Sequence, residues 1–235
     1  MLSNRNSLFD DLALSYDEWY ETPFGKLVDR LEKEAVFSLV KARPGDLALD
    51  LSCGTGNYTL ALAHRGLRVV GVDCSEPMLR LAKAKAARLS ERLFLIQADA
   101  TALPFRSRSF DLVTLILGLE FMADPGKAIE EVRRVLKPGA CLVVAILNRA
   151  GLWTIWRRLK RNFVGSIWTR ARFLSEGELQ RLLEQRRVSL LQRREAVYFL
   201  PVLRNHVRCL DQWEALGRRW LAGRASFLVV SAKCV

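Results

Sequence analysis

Four carboxylates stand where the chain could use them for chemistry. Asp50, Asp73 and Asp99 each close a short, mostly apolar run, L-A-L-D, R-V-V-G-V-D and L-F-L-I-Q-A-D, and Glu120 lies just past a fourth, F-D-L-V-T-L-I-L. A carboxylate so placed can accept hydrogen bonds from hydroxyl or amino groups, or can carry a proton. Asp50 leads into L-S-C-G-T-G-N-Y. Gly54 and Gly56 lack a Cβ, so the backbone can bend sharply and a ligand can approach it closely. Residues Tyr58 to Ala63 read as the first turns of a helix, which would aim free N–H groups at that ligand. Only two histidines are present, and none of the five cysteines forms C-x-x-C, so no metal site is expected. No Ser-His-Asp or Cys-His set competes for a catalytic role.

Strands must carry these groups. Apolar runs at Leu47–Leu51, Arg68–Asp73, Leu93–Gln97, Phe110–Leu117 and Cys141–Leu147 alternate with helical patterns at Met78–Arg88 and Pro125–Leu136. That alternation predicts an α/β fold with a doubly wound sheet, whose ligands bind outside the carboxyl ends of the strands. Ahead of it, Gly25–Val40 reads as an amphipathic helix, and Tyr16 and Tyr20 stand four apart on one helical face. Beyond Asn148 the regularity breaks. Leu152–Phe163 reads as a short helix, and Ser175-Glu176-Gly177-Glu178 matches a capping box opening a helix to about Glu184. Val188–Val197 reads as an edge strand, Tyr198–Trp220 as a helix and Phe227–Cys234 as a closing strand.

The 235 residues carry a net charge of +12, unevenly spread. Asn148–Arg224 holds 17 Lys and Arg against 6 Asp and Glu, and five of the six tryptophans. A single domain is expected over 1–235: N-terminal helices at 1–40, a ligand-binding core at 41–147, a basic Trp-rich cap at 148–224 and the closing strand at 225–235. The scattered, odd-numbered cysteines and the lack of a secretory or membrane-spanning run predict a reduced, cytoplasmic chain.

A glycine turn of this kind could serve NAD, another nucleotide or S-adenosylmethionine (SAM). The dinucleotide pattern G-x-G-x-x-G fails, because Thr59 occupies its third glycine position. Asp50 suits a cationic amino group and would repel a pyrophosphate. The stretch resembles motif I of the class I SAM-dependent methyltransferases, D/E-x-G-x-G-x-G, with Ser52 at the first glycine. The resemblance extends through V-V-G-V-D-C-S-E-P-M-L, A-D-A-T-A-L-P-F, S-F-D-L-V and V-L-K-P-G-A. It points to the group holding the ubiquinone/menaquinone-type and many small-molecule methyltransferases. It implies a Rossmann-like, seven-stranded sheet of order 3-2-1-4-5-7-6 with the last strand antiparallel. It also implies roles for residues. Asp73 would accept the ribose hydroxyls of SAM, and Asp99 with Ala100 the adenine amino group. Asp50, Ser52, Gly54 and Gly56 would face the methionine moiety, while Cys74, Met78 and Leu117 pack the adenine and thioether. The Tyr16-Asp17 pair resembles the N-terminal Y-D of that group, whose segment closes over the cofactor, with Tyr20 beside it. Phe121 stands where the group often has histidine, so histidine-assisted proton removal is not expected, and Glu120, just past strand 4, is either a candidate catalytic base or a solvated or salt-bridged loop residue.

The cap suggests the acceptor. Trp153, Trp156 and Trp168 are expected to line a pocket for a small or lipid-like molecule. The cations beside them could instead meet RNA phosphates or an anionic lipid surface. An RNA methyltransferase and a non-catalytic SAM-binding protein therefore remain alternative functions.

Overall fold

The computed structural model describes residues 7–89, 91–159 and 170–234. Two short helices open it, α1 (Ser7–Asp10) and α2 (Ala13–Glu21), followed by α3 (Pro23–Phe37). α3 starts two residues before the apolar pattern suggests. Thr22 caps it, its hydroxyl accepting the Gly25 N–H at 3.0 Å, and Pro23 supplies a helix-ready φ at the first position.

The sheet follows: β1 (Leu47–Leu51), β2 (Arg68–Asp73), β3 (Leu93–Gln97), β4 (Phe110–Ile116), β5 (Leu136–Leu147), β6 (Val188–Ala196) and β7 (Phe227–Cys234). Its order is β3-β2-β1-β4-β5-β7-β6. The first five strands pair in parallel, while β7 runs antiparallel between β5 and β6, as expected. β5 begins earlier than the apolar run at Cys141. Leu136 already pairs with Phe110, and the Lys137–Ala140 stretch is then skipped before Cys141 pairs with Leu112.

Alternate strand residues feed two cores, one on each sheet face. Ala48, Leu112 and Val143 join Leu31, Val36, Leu62 and Phe199 on one side. Leu49, Val113 and Val144 join Ile129, Val132, Leu179 and Leu183 on the other. The covering helices are α4 (Asn57–His64), α5 (Glu76–Lys85), α6 (Pro125–Val135), α7 (Leu152–Leu159), α8 (Glu176–Glu184) and α9 (Val207–Trp220). The expected capping box is formed: Ser175 and Glu178 bond reciprocally at the start of α8. The single helix expected over Tyr198–Trp220 is instead a 3-10 turn at Pro201–Asn205 and then α9. Pro201 cannot donate to a helix interior, and His206 breaks the two apart. Among the described residues no helix is long and apolar enough to cross a membrane, and no cluster of metal-ligating side chains occurs.

Candidate functional site

A cavity of about 720 Å³ opens at the carboxyl ends of β1, β2 and β4. The glycine turn forms one wall. Ser52, Gly54 and Gly56 all take left-handed backbone angles, φ +60°, +53° and +82°. Ser52 adopts a conformation that glycine takes without penalty, which gives a physical reason for glycine at that place in the motif. Gly56 does not line the cavity. It starts α4, and a Cβ there would come within 3.1 Å of the Ala82 side chain.

Asp73 stands over this turn. Its Oδ2 accepts the Gly54 N–H at 2.8 Å and its Oδ1 the Ser75 N–H at 2.9 Å. Burial raises its pKa, and these two N–H groups partly counter that. A carboxylate offers about four acceptor sites, so each oxygen keeps capacity for a ligand hydroxyl. Asp99 and Ala100 line the next stretch of wall beyond β3, with Asp99 steadied by the Thr101 N–H and hydroxyl, each at 2.8 Å. Cys74, Met78 and Leu117 supply apolar surface between them, and burial lifts the Cys74 thiol to about 11.

Asp50 also lines the cavity but is only 2% exposed, and each of its oxygens accepts one buried hydroxyl: Oδ2 from Thr59 at 2.6 Å, Oδ1 from Thr114 at 2.7 Å. Burial raises its pKa to about 6, against the lowering effect of the two hydroxyls. The carboxylate is clamped in the cavity floor. Thr59, which breaks the dinucleotide pattern, is half of that clamp. Neither threonine stands out in the sequence, since nothing there marks a hydroxyl as facing a strand-end carboxylate.

Glu120 also lines the cavity, in a 3-10 turn after β4, on the other side of β1 from the ends of β2 and β3. It is 1% exposed. The Leu147 N–H donates to its Oε1 at 2.6 Å, while Oε2 is buried without a hydrogen-bond partner among the described residues. Burial pushes its pKa up to about 7, more than that one N–H lowers it. Phe9 and Phe121 meet edge to face, 4.9 Å between centroids, at the cavity rim, and Lys127, Arg170 and Arg172 bring cations to it.

The N-terminal helices cover the cavity. Tyr16 and Tyr20 line it with rings 5.7 Å apart, and burial raises both phenols. Polar contacts tie this arm down: Thr55 Oγ1 to Asp17 at 2.7 Å, Ser75 Oγ to Asp10 at 2.6 Å and Lys85 to Asp17 at 2.9 Å.

The tryptophans depart from the sequence expectation. Trp153 does not line the cavity. It lies 8% exposed in the core, stacked on Phe24 at 5.7 Å and 12°, its indole N–H donating to the Phe199 carbonyl. α7 turns its apolar side against the start of α3, and a flat ring fills that space. Trp156, half-buried, is likewise absent from the cavity wall. Trp168 falls outside the described residues.

Comparisons with known proteins agree with this geometry. Residues 49–144 match a family described as a methyltransferase domain. The demethylmenaquinone methyltransferase of Lactobacillus johnsonii is 34% identical over 177 residues, 65% of this chain and 72% of the relative. That of Clavibacter sepedonicus is 38% identical over 139 residues, 59% of this chain and 56% of the relative. The chain thus spans somewhat over half the length of the curated relatives it matches first. A SAM-dependent methyltransferase of known structure from Thermotoga maritima superposes with a TM-score of 0.73 at 22% identity, covering 97% of this chain and 99% of its own, a likeness of fold. Glycine turn, strand-end carboxylates, sheet order and relatives converge: the chain belongs to the class I SAM-dependent methyltransferase family and groups with its quinone-type members.

Proposed function

We propose that this chain transfers a methyl group from SAM to a small, lipid-like acceptor of quinone type, with Glu120 as the general base. The observation that carries this reading is one cavity lined by two unlike sets of groups. One set is the acceptor carboxylates and the glycine turn, suited to an adenosyl group; the other is a buried carboxyl with one oxygen unpartnered among the described residues.

The residues present fit SAM. Asp73 keeps acceptor capacity for ribose hydroxyls, Asp99 and Ala100 suit an adenine edge, and Cys74, Met78 and Leu117 suit its faces. When bound, SAM supplies a methyl group already activated by a sulfonium. The chain's part is then largely placement, and orientation of this kind supplies on the order of 7–11 kcal/mol. Asp50, held by Thr59 and Thr114, keeps a fixed negative charge near the turn when ionised. Phe9, Phe121 and Met122 line the cavity with apolar surface that suits an acceptor ring. Glu120 Oε2 takes the acceptor's proton, and its pKa of about 7 suits a base working near neutrality.

The test is paired. Isothermal titration should show micromolar binding of SAM and S-adenosylhomocysteine, roughly −8 kcal/mol. Radiolabelled SAM should then methylate naphthoquinols lacking a ring methyl ahead of RNA. Binding of NAD but neither sulfur compound would sink the family reading for this chain. Binding without transfer to any acceptor would favour a SAM-binding protein without catalysis.

A further inference from the structure

α9 exposes more apolar surface than its packing explains. Leu210, Glu214 and Gly217 are its buried residues. Along its flank Trp213 is 51% exposed, Leu216 52% and Trp220 71%. Steps of three and four residues put these on one helical stripe. Val202, in the 3-10 turn before the helix, and Leu221, just after it, are also exposed, 52% and 39%. Single exposed apolar residues are ordinary; a continuous apolar stripe on one element marks an interaction site.

Cations border the stripe. Arg208 and Arg219 sit one position before Cys209 and Trp220, and Arg204 and Arg224 stand near its ends, all four exposed. None of the four forms an ion pair with a carboxylate of the described residues. The Arg219 guanidinium lies 5.2 Å from the Trp220 ring. The helix's own acids are engaged elsewhere, Asp211 with Arg30 and Glu214 with the Val197 and Tyr198 N–H groups. The face is therefore both apolar and positive.

Its position also matters. α9 leads into β7, whose Phe227 pairs with Leu147, and Leu147 is the residue that holds Glu120. The Trp220 end of the helix thus lies at the same end of the sheet as the cavity.

We infer that this face of α9 docks on the surface of an anionic lipid bilayer. Tryptophan places an apolar ring and a polar N–H at such a boundary, and arginine extends its charge to the headgroups. A second copy of the chain would bring like-charged arginines together. RNA would leave Val202, Leu216 and Leu221 with no base to stack on. The inference does not depend on the acceptor or on catalysis.

The test sediments the full chain with vesicles of phosphatidylcholine alone, and of phosphatidylcholine with phosphatidylglycerol, at low and physiological salt. Binding should require phosphatidylglycerol and weaken with salt. Arg208→Glu with Arg219→Glu should weaken it about tenfold or more. Trp213→Asp with Trp220→Asp should abolish it, and both pairs should keep wild-type affinity for S-adenosylhomocysteine. Equal binding to phosphatidylcholine alone, or variants that sediment like wild type, would overturn the inference. So would a dimer that these substitutions dissociate without any vesicle binding, or single-stranded RNA displacing the vesicles. Should the tryptophan pair fail to fold, the exposed arginine pair decides alone.

Discussion

Replacing Glu120 with glutamine should make the protein more stable and less active at once. In the folded chain the carboxyl is 1% exposed and holds its proton to about pH 7, against an ordinary value of 4.5. The folded state therefore binds this proton more tightly than the unfolded chain does. Stability from this group is greatest below about pH 4.5 and falls as pH rises to about 7, then stays level. At about 1.4 kcal/mol per pH unit, the full loss approaches roughly 3 kcal/mol. Glutamine keeps an oxygen for the Leu147 N–H and cannot ionise. Urea unfolding should show wild type and Glu120→Gln nearly level at about pH 4, with the variant ahead by roughly 3 kcal/mol at about pH 8.5. Asp50 and Glu32, raised to about 6 and about 8, give wild-type slopes of the same sign, but they are shared by the variant and cancel. Methyl transfer, followed by S-adenosylhomocysteine release, should fall about 10²–10⁴-fold in the variant. The wild-type rate should rise with pH through about 7, since the base works deprotonated. A stability gap that stays constant with pH would refute the burial reasoning. A fully active Glu120→Gln would refute the base.

Three further outcomes are expected. Asp73→Ala removes an acceptor for ligand hydroxyls and frees the Gly54 and Ser75 N–H groups, so S-adenosylhomocysteine should bind about 10- to 100-fold more weakly in a chain that still folds; unchanged affinity by titration would assign the hydroxyls elsewhere. Ser52→Gly relieves a φ of +60° and, after the glycine entropy penalty, should stabilise by up to about 1 kcal/mol in urea unfolding. Trp153→Ala empties a core site under Phe24 and Phe199 and should destabilise by about 3–5 kcal/mol, with the acceptor KM of the folded fraction unchanged; a raised KM at wild-type stability would return this residue to the acceptor pocket.

The parallel part of the sheet was legible because its strands are short apolar runs, the first three leading into a carboxylate, and each such run maps onto one strand. Asp73, Asp99 and the glycine turn were legible for the same reason: each sits at a strand boundary. What escaped depends on partners distant in the chain. The clamp on Asp50 joins Thr59 to Thr114, and no local pattern links those positions. Trp153 was expected in a pocket from its composition, whereas its place is decided by Phe24, in a helix far upstream. The tryptophans that do face outward, Trp213 and Trp220, are spaced as a buried pair would be, and the sequence alone does not separate the two.

The N-terminal arm is held by hydroxyls and an ion pair at the cavity rim, through Asp10 and Asp17. Contacts of this kind in partly exposed places contribute about 1 kcal/mol or less each. The arm is held besides by buried apolar contact, Ala13 in the core and Phe9 against Phe121. An occupant touching Tyr16 and Tyr20 adds its own contacts to the closed form, and by linkage shifts the population toward it. Residence time then follows from what is bound. A well-matched occupant adds to what holds the arm down, and an occupant that misses Tyr16 and Tyr20 does not.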